Sequence, residues 1–286
     1  MNKYAYVTLL STEDYLLGVL VCHWSWKQTQ SPYPFICLVT DNICSSSINI
    51  LKLQGIEVIN IEKYVPNSYR ETLEKMSDDQ VNSSMANKDF NQNGWHNCWS
   101  KLCIFKLIQY DKVIYIDSDT WFWRNMDELF EKPFLTAVRD YNNKLCAGLL
   151  VIEPSIEEWE RVTRTVEEYP LYPGNPQKLT NDQEVINITY DKWYEFKDNI
   201  LPDYYHKSIA FLNYADEDWL SYNIGNIKAL HIMNQKPWLV GKELVKIYRD
   251  SGWTRTAWIV EGYLMVCNTV IKELKNKGVQ RFWEYF

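Results

Sequence analysis

YAYVTLL, Tyr4 to Leu10, is the stretch on which the fold turns. It is an apolar run without a helical period, closed by the polar cluster Ser11-Thr12-Glu13-Asp14, and it reads as a buried strand. Ser11 to Asp14 fits a capping box, and the spacing predicts an amphipathic helix from there to about Trp26. The same rhythm then repeats. FICLVT (Phe35 to Thr40), bounded by Pro34 and Asp41, is a second strand; Ile43 to Gln54 has a helical pattern; EVINI (Glu57 to Ile61) is a third strand. Strands alternating with helices predict an α/β fold, a mostly parallel, Rossmann-like sheet flanked by helices.

Beyond this unit the chain changes character twice. Val65 to Asn97 is rich in Asn, Ser and Asp with weak periodicity, and reads as an irregular insertion or a flexible lid. Trp99 to Tyr110 reads as a helix, KVIYID (Lys112 to Asp117) as a strand, FLTAVRD and LCAGLLVIEP as two more, and Glu157 to Tyr169 as a helix. Pro170, Pro173, Gly174 and Pro176 then break the chain, Asn181 to Tyr190 predicts another helix, and KALHIM (Lys228 to Met233) a late strand. Near Val240 the α/β pattern gives way to a helical tail, amphipathic from Thr256 to Lys275. The expected organisation is one α/β domain over residues 1–240 with a helical appendage, residues 241–286, packed on it.

Composition narrows the function classes. The chain has 286 residues with 46% hydrophobic and 23% charged, an ordinary globular balance, but 13 Trp, 20 Tyr and 10 Phe. Aromatic faces suit sugars and bases, although a filled core takes most of them. A net charge of -7 argues against a nucleic-acid partner, and no polybasic run addresses an anionic membrane. No apolar stretch is long enough to span a bilayer. The apolar run at the N-terminus lacks a cleavage site and reads as a strand instead of a signal peptide, so a cytoplasmic address is expected. The cysteines (Cys22, Cys37, Cys44, Cys98, Cys103, Cys146, Cys267) are odd in number and form no CxxC, so reduced thiols are expected, not a disulfide framework or a zinc site.

The residues that carry chemistry stand where strands run out. In open α/β sheets, ligands bind beyond the carboxyl ends of the strands. KVIYI ends in Asp117-Ser118-Asp119, two carboxylates that can share one hard divalent cation, Mn²⁺ or Mg²⁺, and through it bind a diphosphate. His231, on the late strand, can complete the metal shell, and Lys236 can pair with a phosphate.

Five segments in order resemble glycosyltransferase family 8, the glycogenin and galactinol synthase group, over roughly residues 4 to 240. They are AYVTLLSTEDY (Ala5 to Tyr15), WSKLCIFKLIQYDKVIYIDSD (Trp99 to Asp119), AGLLVIEPS (Ala147 to Ser155), NDQEVIN (Asn181 to Asn187) and HIMNQKPW (His231 to Trp238). The resemblance implies a GT-A fold and a retaining hexosyltransferase that moves glucose or galactose from a UDP-sugar to an acceptor hydroxyl of a glycan, protein-linked sugar or polyol. It implies that Leu9, Ser11, Thr12 and Tyr15 hold the uridine, with Tyr15 facing the base. Asp117, Ser118 and Asp119 hold the metal-diphosphate, His231 is the third protein ligand, and Lys236 grips the diphosphate. Lys101 contacts the donor sugar or phosphate, and Asp182 and Gln183 sit beside the anomeric carbon. A homodimer is a candidate assembly.

The chain departs from the family pattern at three places. Cys146 stands where the family carries Asn, and a thiol lacks an amide's paired donor and acceptor. The His231 to Lys236 motif is one residue short and lacks its Gly, which removes easy backbone approach to a phosphate. Asn181 replaces a common Gly. No carboxylate pair suits a double displacement; Asp182, the one carboxylate expected near the anomeric centre, is either a nucleophile or an orienting group, and the favoured path is a same-face displacement in which the departing diphosphate helps to deprotonate the acceptor. Two alternatives share the fold: an inactive UDP-sugar-binding module, and a self-glucosylating primer using Tyr204, Tyr205, Tyr214 or Tyr222. A nucleotidyltransferase would need a Gly-rich loop after the first strand, and Leu10-Ser11-Thr12-Glu13 is none. If Leu9, Thr12 and Tyr15 form a uridine pocket, UDP with Mn²⁺ raises the melting temperature while ADP and GDP do little. Equal stabilisation by all three in differential scanning fluorimetry counts against that pocket.

Overall fold

Strands that are apolar on both sides need a sheet covered on both faces. In the computed structural model, which describes residues 3–61, 99–168 and 182–280, β1 (Tyr4–Leu10) sends Ala5, Val7 and Leu9 into one apolar layer and Tyr6 and Leu10 into the other. β2 (Phe35–Val39) divides its side chains in the same way, Ile36 and Leu38 against Cys37 and Val39. With β3 (Glu57–Asn60), β4 (Lys112–Ile116), β6 (Thr136–Arg139), β7 (Leu145–Ile152) and β8 (Ile200–Leu201) they form one sheet in the order β3-β2-β1-β4-β7-β6-β8. Its pairs are parallel except where β7 joins β4 and β6. A small second sheet, β5 (Thr120–Phe122), β10 (Ala229–His231) and β9 (Lys207–Ser208), branches off where β4 ends.

Helices close both faces. α1 (Leu16–Gln28) and α2 (Ser45–Leu53) connect the first three strands. α3 (Ile156–Glu168) buries Trp159, Val162 and Val166, and α4 (Asp182–Thr189) buries Val185 and Ile186, all in the layer of Ala5 and Val7. After α5 (Glu217–Asn223), the short α6 (Pro237–Val240) and α7 (Lys242–Asp250), the long α8 (Thr254–Asn276) crosses the opposite face. Its buried stripe, Ala257, Val260, Tyr263, Leu264, Cys267, Val270, Ile271 and Leu274, keeps a strict helical spacing and joins the layer of Tyr6 and Leu10. Each such fully buried Val or Leu contributes about 1.5–3 kcal/mol.

Three expectations are corrected. Ser11 to Asp14 makes no capping box: Glu13 lies in a 3₁₀ turn, Glu13–Tyr15, and its carboxylate instead accepts from the Cys44 N–H (2.8 Å) and the Ser47 hydroxyl (2.6 Å), at the start of α2. A carboxylate there offsets the positive end of the second helix, which a cap on its own helix could not do. α1 is not amphipathic; from Leu16 to His23 every residue is buried, because α8 covers the side that the sequence alone would leave to water. Trp99 to Tyr110 is no α-helix but a 3₁₀ run, Trp99–Lys106, in which Lys101 to Phe105 are all buried. A helix with one core face cannot bury five consecutive residues; a segment enclosed on all sides can. The thiols Cys22, Cys37, Cys103 and Cys267 are buried, while Cys44 is exposed. The Val65 to Asn97 insertion, the Pro170 to Pro176 breaks, Asn181 and Cys98 lie outside the described residues. Among the described residues no helix is long and apolar enough to cross a membrane.

His23 of α1 is buried and stacked on Trp26, with ring centroids 5.5 Å apart. Burial, helped by Lys27, lowers its pKa to about 4. A folded-state pKa below the unfolded value means that the unfolded chain binds the proton first, so stability is lost as pH falls from about 6.5 towards 4. The loss from this group approaches about 3 kcal/mol. Urea unfolding at pH 7 and pH 4.5 should show a drop in the wild type that His23→Leu largely abolishes; an equal drop in both removes His23 as its source.

Candidate active site

The site begins where β4 stops. Beyond Ile116 the chain turns through Asp117-Ser118-Asp119 into β5, with the Thr120 N–H on the Asp117 carbonyl (3.1 Å) and the Asp117 N–H on the Gly148 carbonyl (2.9 Å). β5 pairs antiparallel with β10, setting His231 opposite Thr120, and β10 pairs parallel with β9, setting His231 opposite Ser208. The Ile232 N–H closes on the Asp119 carbonyl at 2.8 Å. The small sheet thus gathers three segments far apart in sequence at the carboxyl ends of β1 and β4, where the strand order switches direction.

Six side chains there form a continuous row in which basic and acidic groups alternate. Lys236 Nζ lies 2.5 Å from Asp119 Oδ2. His231 Nε2 stands between the two aspartates, 3.2 Å from Asp119 Oδ1 and 3.8 Å from Asp117 Oδ2. Lys101 Nζ then bridges Asp117 Oδ1 at 3.0 Å and Asp182 Oδ2 at 2.6 Å. The Asp182 contact is short but poorly aligned for a hydrogen bond, and acts as a charge pair. Tyr115 donates to Asp117 Oδ1 at 2.9 Å, and Lys101 lies 5.1 Å from the centroid of its ring. Apart from Asp117 and His231 the row is buried, so each charge depends on its neighbours.

Those neighbours set the proton affinities. Burial alone would raise Asp119, but Lys236 and His231 outweigh it and hold the carboxyl below the usual range. At Asp182 burial wins over Lys101, and the carboxyl is raised. Burial and the charge of Asp117 push the Tyr115 hydroxyl well up.

One ligand atom from each of Asp117, Asp119 and His231 lies within 4.8 Å of the others. Two carboxylates and an imidazole suit Mn²⁺ or Mg²⁺. Asp117 keeps 22% of its side-chain surface exposed against 9% for Asp119, so the group opens towards solvent on the Asp117 side. These residues fit a divalent cation.

The other expected residues fall around this row. Leu9 is buried at the end of β1, and the Ser11 carbonyl accepts from Asn42 Nδ2 at 2.7 Å. Thr12 precedes the turn that carries Tyr15. Tyr15 meets Trp238 edge-on, centroids 5.6 Å apart, and Lys236 Nζ lies 5.7 Å from its ring centroid. Trp238 donates to the Asp14 carbonyl at 2.7 Å, so the end of β1 and the His231 to Trp238 segment stand together. The turn that lacks the family's Gly is made by Asn234, at φ 68; Asn is among the few side chains that visit the left-handed region. Ser118 is buried behind the aspartates. Gln183 has both ends of its amide engaged, by the Ala147 N–H (2.9 Å) and by Asp140 Oδ2 (2.9 Å), and so anchors β7. Tyr205 bonds Glu128, whereas Tyr214 and Tyr222 are exposed.

Sequence reasoning missed Tyr115, Thr120, Gly148 and His206. Thr120 Oγ1 meets His206 Nε2 at 3.1 Å, and the His206 ring lies against His231. His206 sits in Asp-Tyr-Tyr-His-Lys, which carries no periodicity or motif to single it out.

The chain is similar to known proteins in family and in fold. The model of glycosyl transferase family 8 matches residues 6–240. Inositol phosphorylceramide glucuronosyltransferase 1 of Arabidopsis thaliana is 30% identical over 181 residues, 63% of this chain and 30% of that protein. Galactinol synthase 1 of the same plant is 26% identical over 280 residues, 84% of this chain and 73% of that protein. The solved structure of the galactosyltransferase LgtC with donor and acceptor sugar analogs superposes with a TM-score of 0.60 at 17% identity, covering 96% of this chain and 99% of that one; the shared fold is GT-A. The chain spans about a third of the length of two plant glucuronosyltransferases it matches, 30% and 33%.

The row predicts its own fragility. Lys101→Met leaves the Asp117 and Asp182 carboxylates without the cation between them. In chelator at pH 7 urea unfolding should show a loss of about 3 kcal/mol. The loss should shrink as pH is lowered, because burial raises Asp182 and the carboxyl left without Lys101 takes up a proton more readily than a free one. A loss below about 1 kcal/mol at pH 7 means that the carboxylates do not depend on Lys101.

Proposed function

Because the chain belongs to glycosyl transferase family 8, we propose that it is a retaining hexosyltransferase moving glucose or galactose from a UDP-sugar to an acceptor hydroxyl. The observation that supports this reading most is the unbroken row from Lys236 through Asp119, His231, Asp117 and Lys101 to Asp182. One end of it is suited to a diphosphate and the other to a sugar. Leu9, Ser11, Thr12 and Tyr15 hold the uridine. Asp117, Asp119 and His231 hold a divalent cation, Mn²⁺ or Mg²⁺, with Ser118 behind them; when bound, the cation offsets the charge that builds on the departing diphosphate.

The chain's own groups do the remaining work. Lys236 exchanges its contact with Asp119 for a phosphate oxygen and adds a point charge. Lys101 keeps Asp182 in place beside the anomeric carbon while pairing with Asp117. Gln183, tied to Ala147 and Asp140, holds β7 against that site. Asp182, raised by burial, orients a hydroxyl of the transferred sugar. The acceptor hydroxyl attacks on the face from which the diphosphate leaves, and its proton passes to the leaving group. Most of the rate then comes from positioning and electrostatic stabilisation.

Release of UDP from UDP-glucose, UDP-galactose and UDP-glucuronate, with and without Mn²⁺, tests the proposal; the third donor is included because plant relatives are named for glucuronate transfer. Turnover of a hexose donor that stops in chelator and in the Asp117→Asn/Asp119→Asn variant is expected. Asp182→Asn should fold normally and lose about a hundredfold in kcat. Intact mass after incubation should show no ladder of added hexoses. Full activity in chelator, or tight UDP binding with no turnover of any donor, overturns the reading.

A further inference from the structure

His206 is the buried polar group at this site to which the proposed reaction gives no task. It is 4% exposed, and its ring lies 4.5 Å from that of His231, centroid to centroid. Nε2 meets the Thr120 hydroxyl at 3.1 Å. Thr120 is itself fully buried, and among the described residues its hydroxyl has no other partner. With the hydroxyl as donor to Nε2 the ring proton stands on Nδ1 and only that N–H is unmatched; the reverse direction would leave both the hydroxyl hydrogen and the Nδ1 lone pair unmatched, so the first assignment stands. Nδ1 is then a buried N–H donor without an acceptor, a state that native proteins rarely leave unmet.

The surroundings indicate where its acceptor belongs. A Cβ built on Gly148 would lie 2.4 Å from His206 Cε1 and 3.1 Å from both His206 Nδ1 and Asp117 Oδ2. The imidazole edge thus occupies the room that a side chain at 148 would need, and Nδ1 borders the space beside Asp117. The oxygen there is Oδ2, which faces His231; Asp117 itself is the residue of the row joined to Lys101 and through it to Asp182, with Lys236 on the far side of His231 and Asp119. Cys146, nearby on β7, is a thiol pushed up to about 12 by burial, and so offers only a weak donor. Asp117 Oδ1 already takes bonds from Lys101 and Tyr115.

Resting on the function proposed above, we propose that His206 binds the transferred sugar of the donor, its Nδ1–H donating to a sugar hydroxyl oxygen between Gly148 and Asp117, so that it sets recognition of the sugar and not of the nucleotide. Gly148 is glycine because the ring needs its Cα face. Thr120 fixes the ring's tautomer and thereby the sign of the contact.

Isothermal titration calorimetry with UDP, UDP-glucose and UDP-galactose, each with Mn²⁺, tests this. His206→Ala should bind UDP within about twofold of wild type. Its affinity for the preferred UDP-sugar should fall about tenfold, the worth of one hydrogen bond. His206→Asn sets an amide donor at the Nδ1 position and should stay within about threefold for the UDP-sugar. If His206→Ala does not fold, His206→Gln, whose donor lies at the Nε2 position, takes its place and should show the same selective loss. Equal losses for UDP and the UDP-sugar, an effect carried through Asp117 and the cation, overturn the inference; so does unchanged UDP-sugar affinity. A wild-type chain that does not bind UDP at all removes the function proposed above and this inference with it, and is read before any variant is compared.

Discussion

Asp117 is held from several sides at once, and the site is built around that grip. Its backbone N–H is fixed on Gly148, one carboxylate oxygen takes Lys101 and Tyr115, and the other faces His231. Asp117 itself stays partly exposed, but Lys101, which grips it, and Asp182 beyond are buried, and a buried charge without its partner costs several kcal/mol. The requirement then spreads. Lys101 must be enclosed to reach Asp117, so the segment around it is a buried 3₁₀ run. Asp182 must come forward to balance Lys101, and this sets where α4 begins. At the other end Asp119 needs both His231 and Lys236.

Such a row has to be assembled from distant parts of the chain, and the two sheets divide that task. The large sheet supplies rigidity: its parallel strands are buried on both faces and bring the ends of β1 and β4 side by side. The small sheet supplies reach, bringing His231 and His206 across to the aspartates. β7 provides the remaining freedom. Its pairing with β6 slips between the Ala137–Leu150 and Arg139–Leu145 pairs, an irregularity that covers Cys146, Ala147 and Gly148. That is where the strand passes Asp117, and irregular strand segments beside functional sites commonly re-aim the backbone. Gln183 pins the irregular stretch at Ala147.

Much of the fold was legible. Strands buried on both faces read as continuous apolar runs, and those around Tyr6, Ile36 and Ile114 are observed within a residue or two of their expected ends. α3 and α8 carried their spacing openly. The misreadings share one cause. The polar start of α1 and the lysine-bearing 3₁₀ run both answer to partners elsewhere in the chain, Cys44 and Ser47 for Glu13, Asp117 and Asp182 for Lys101. Local pattern cannot report a partner that is not local.

The sequence by itself determined the α/β alternation, the two aspartates at the end of an apolar strand, and the order of segments that identifies the family. These are features of neighbouring residues, and hydrophobic burial with chain connectivity is enough to express them. Only the tertiary structure decided that Lys101 is an enclosed cation, that Asn234 makes the turn for which glycine was expected, that Gln183 is an anchor, and that His206 lies on Gly148 with its donor unmet. Each of these depends on what stands opposite once the sheet has closed. A side chain's charge state and hydrogen bonding follow from its three-dimensional neighbours, and no period in the sequence encodes them.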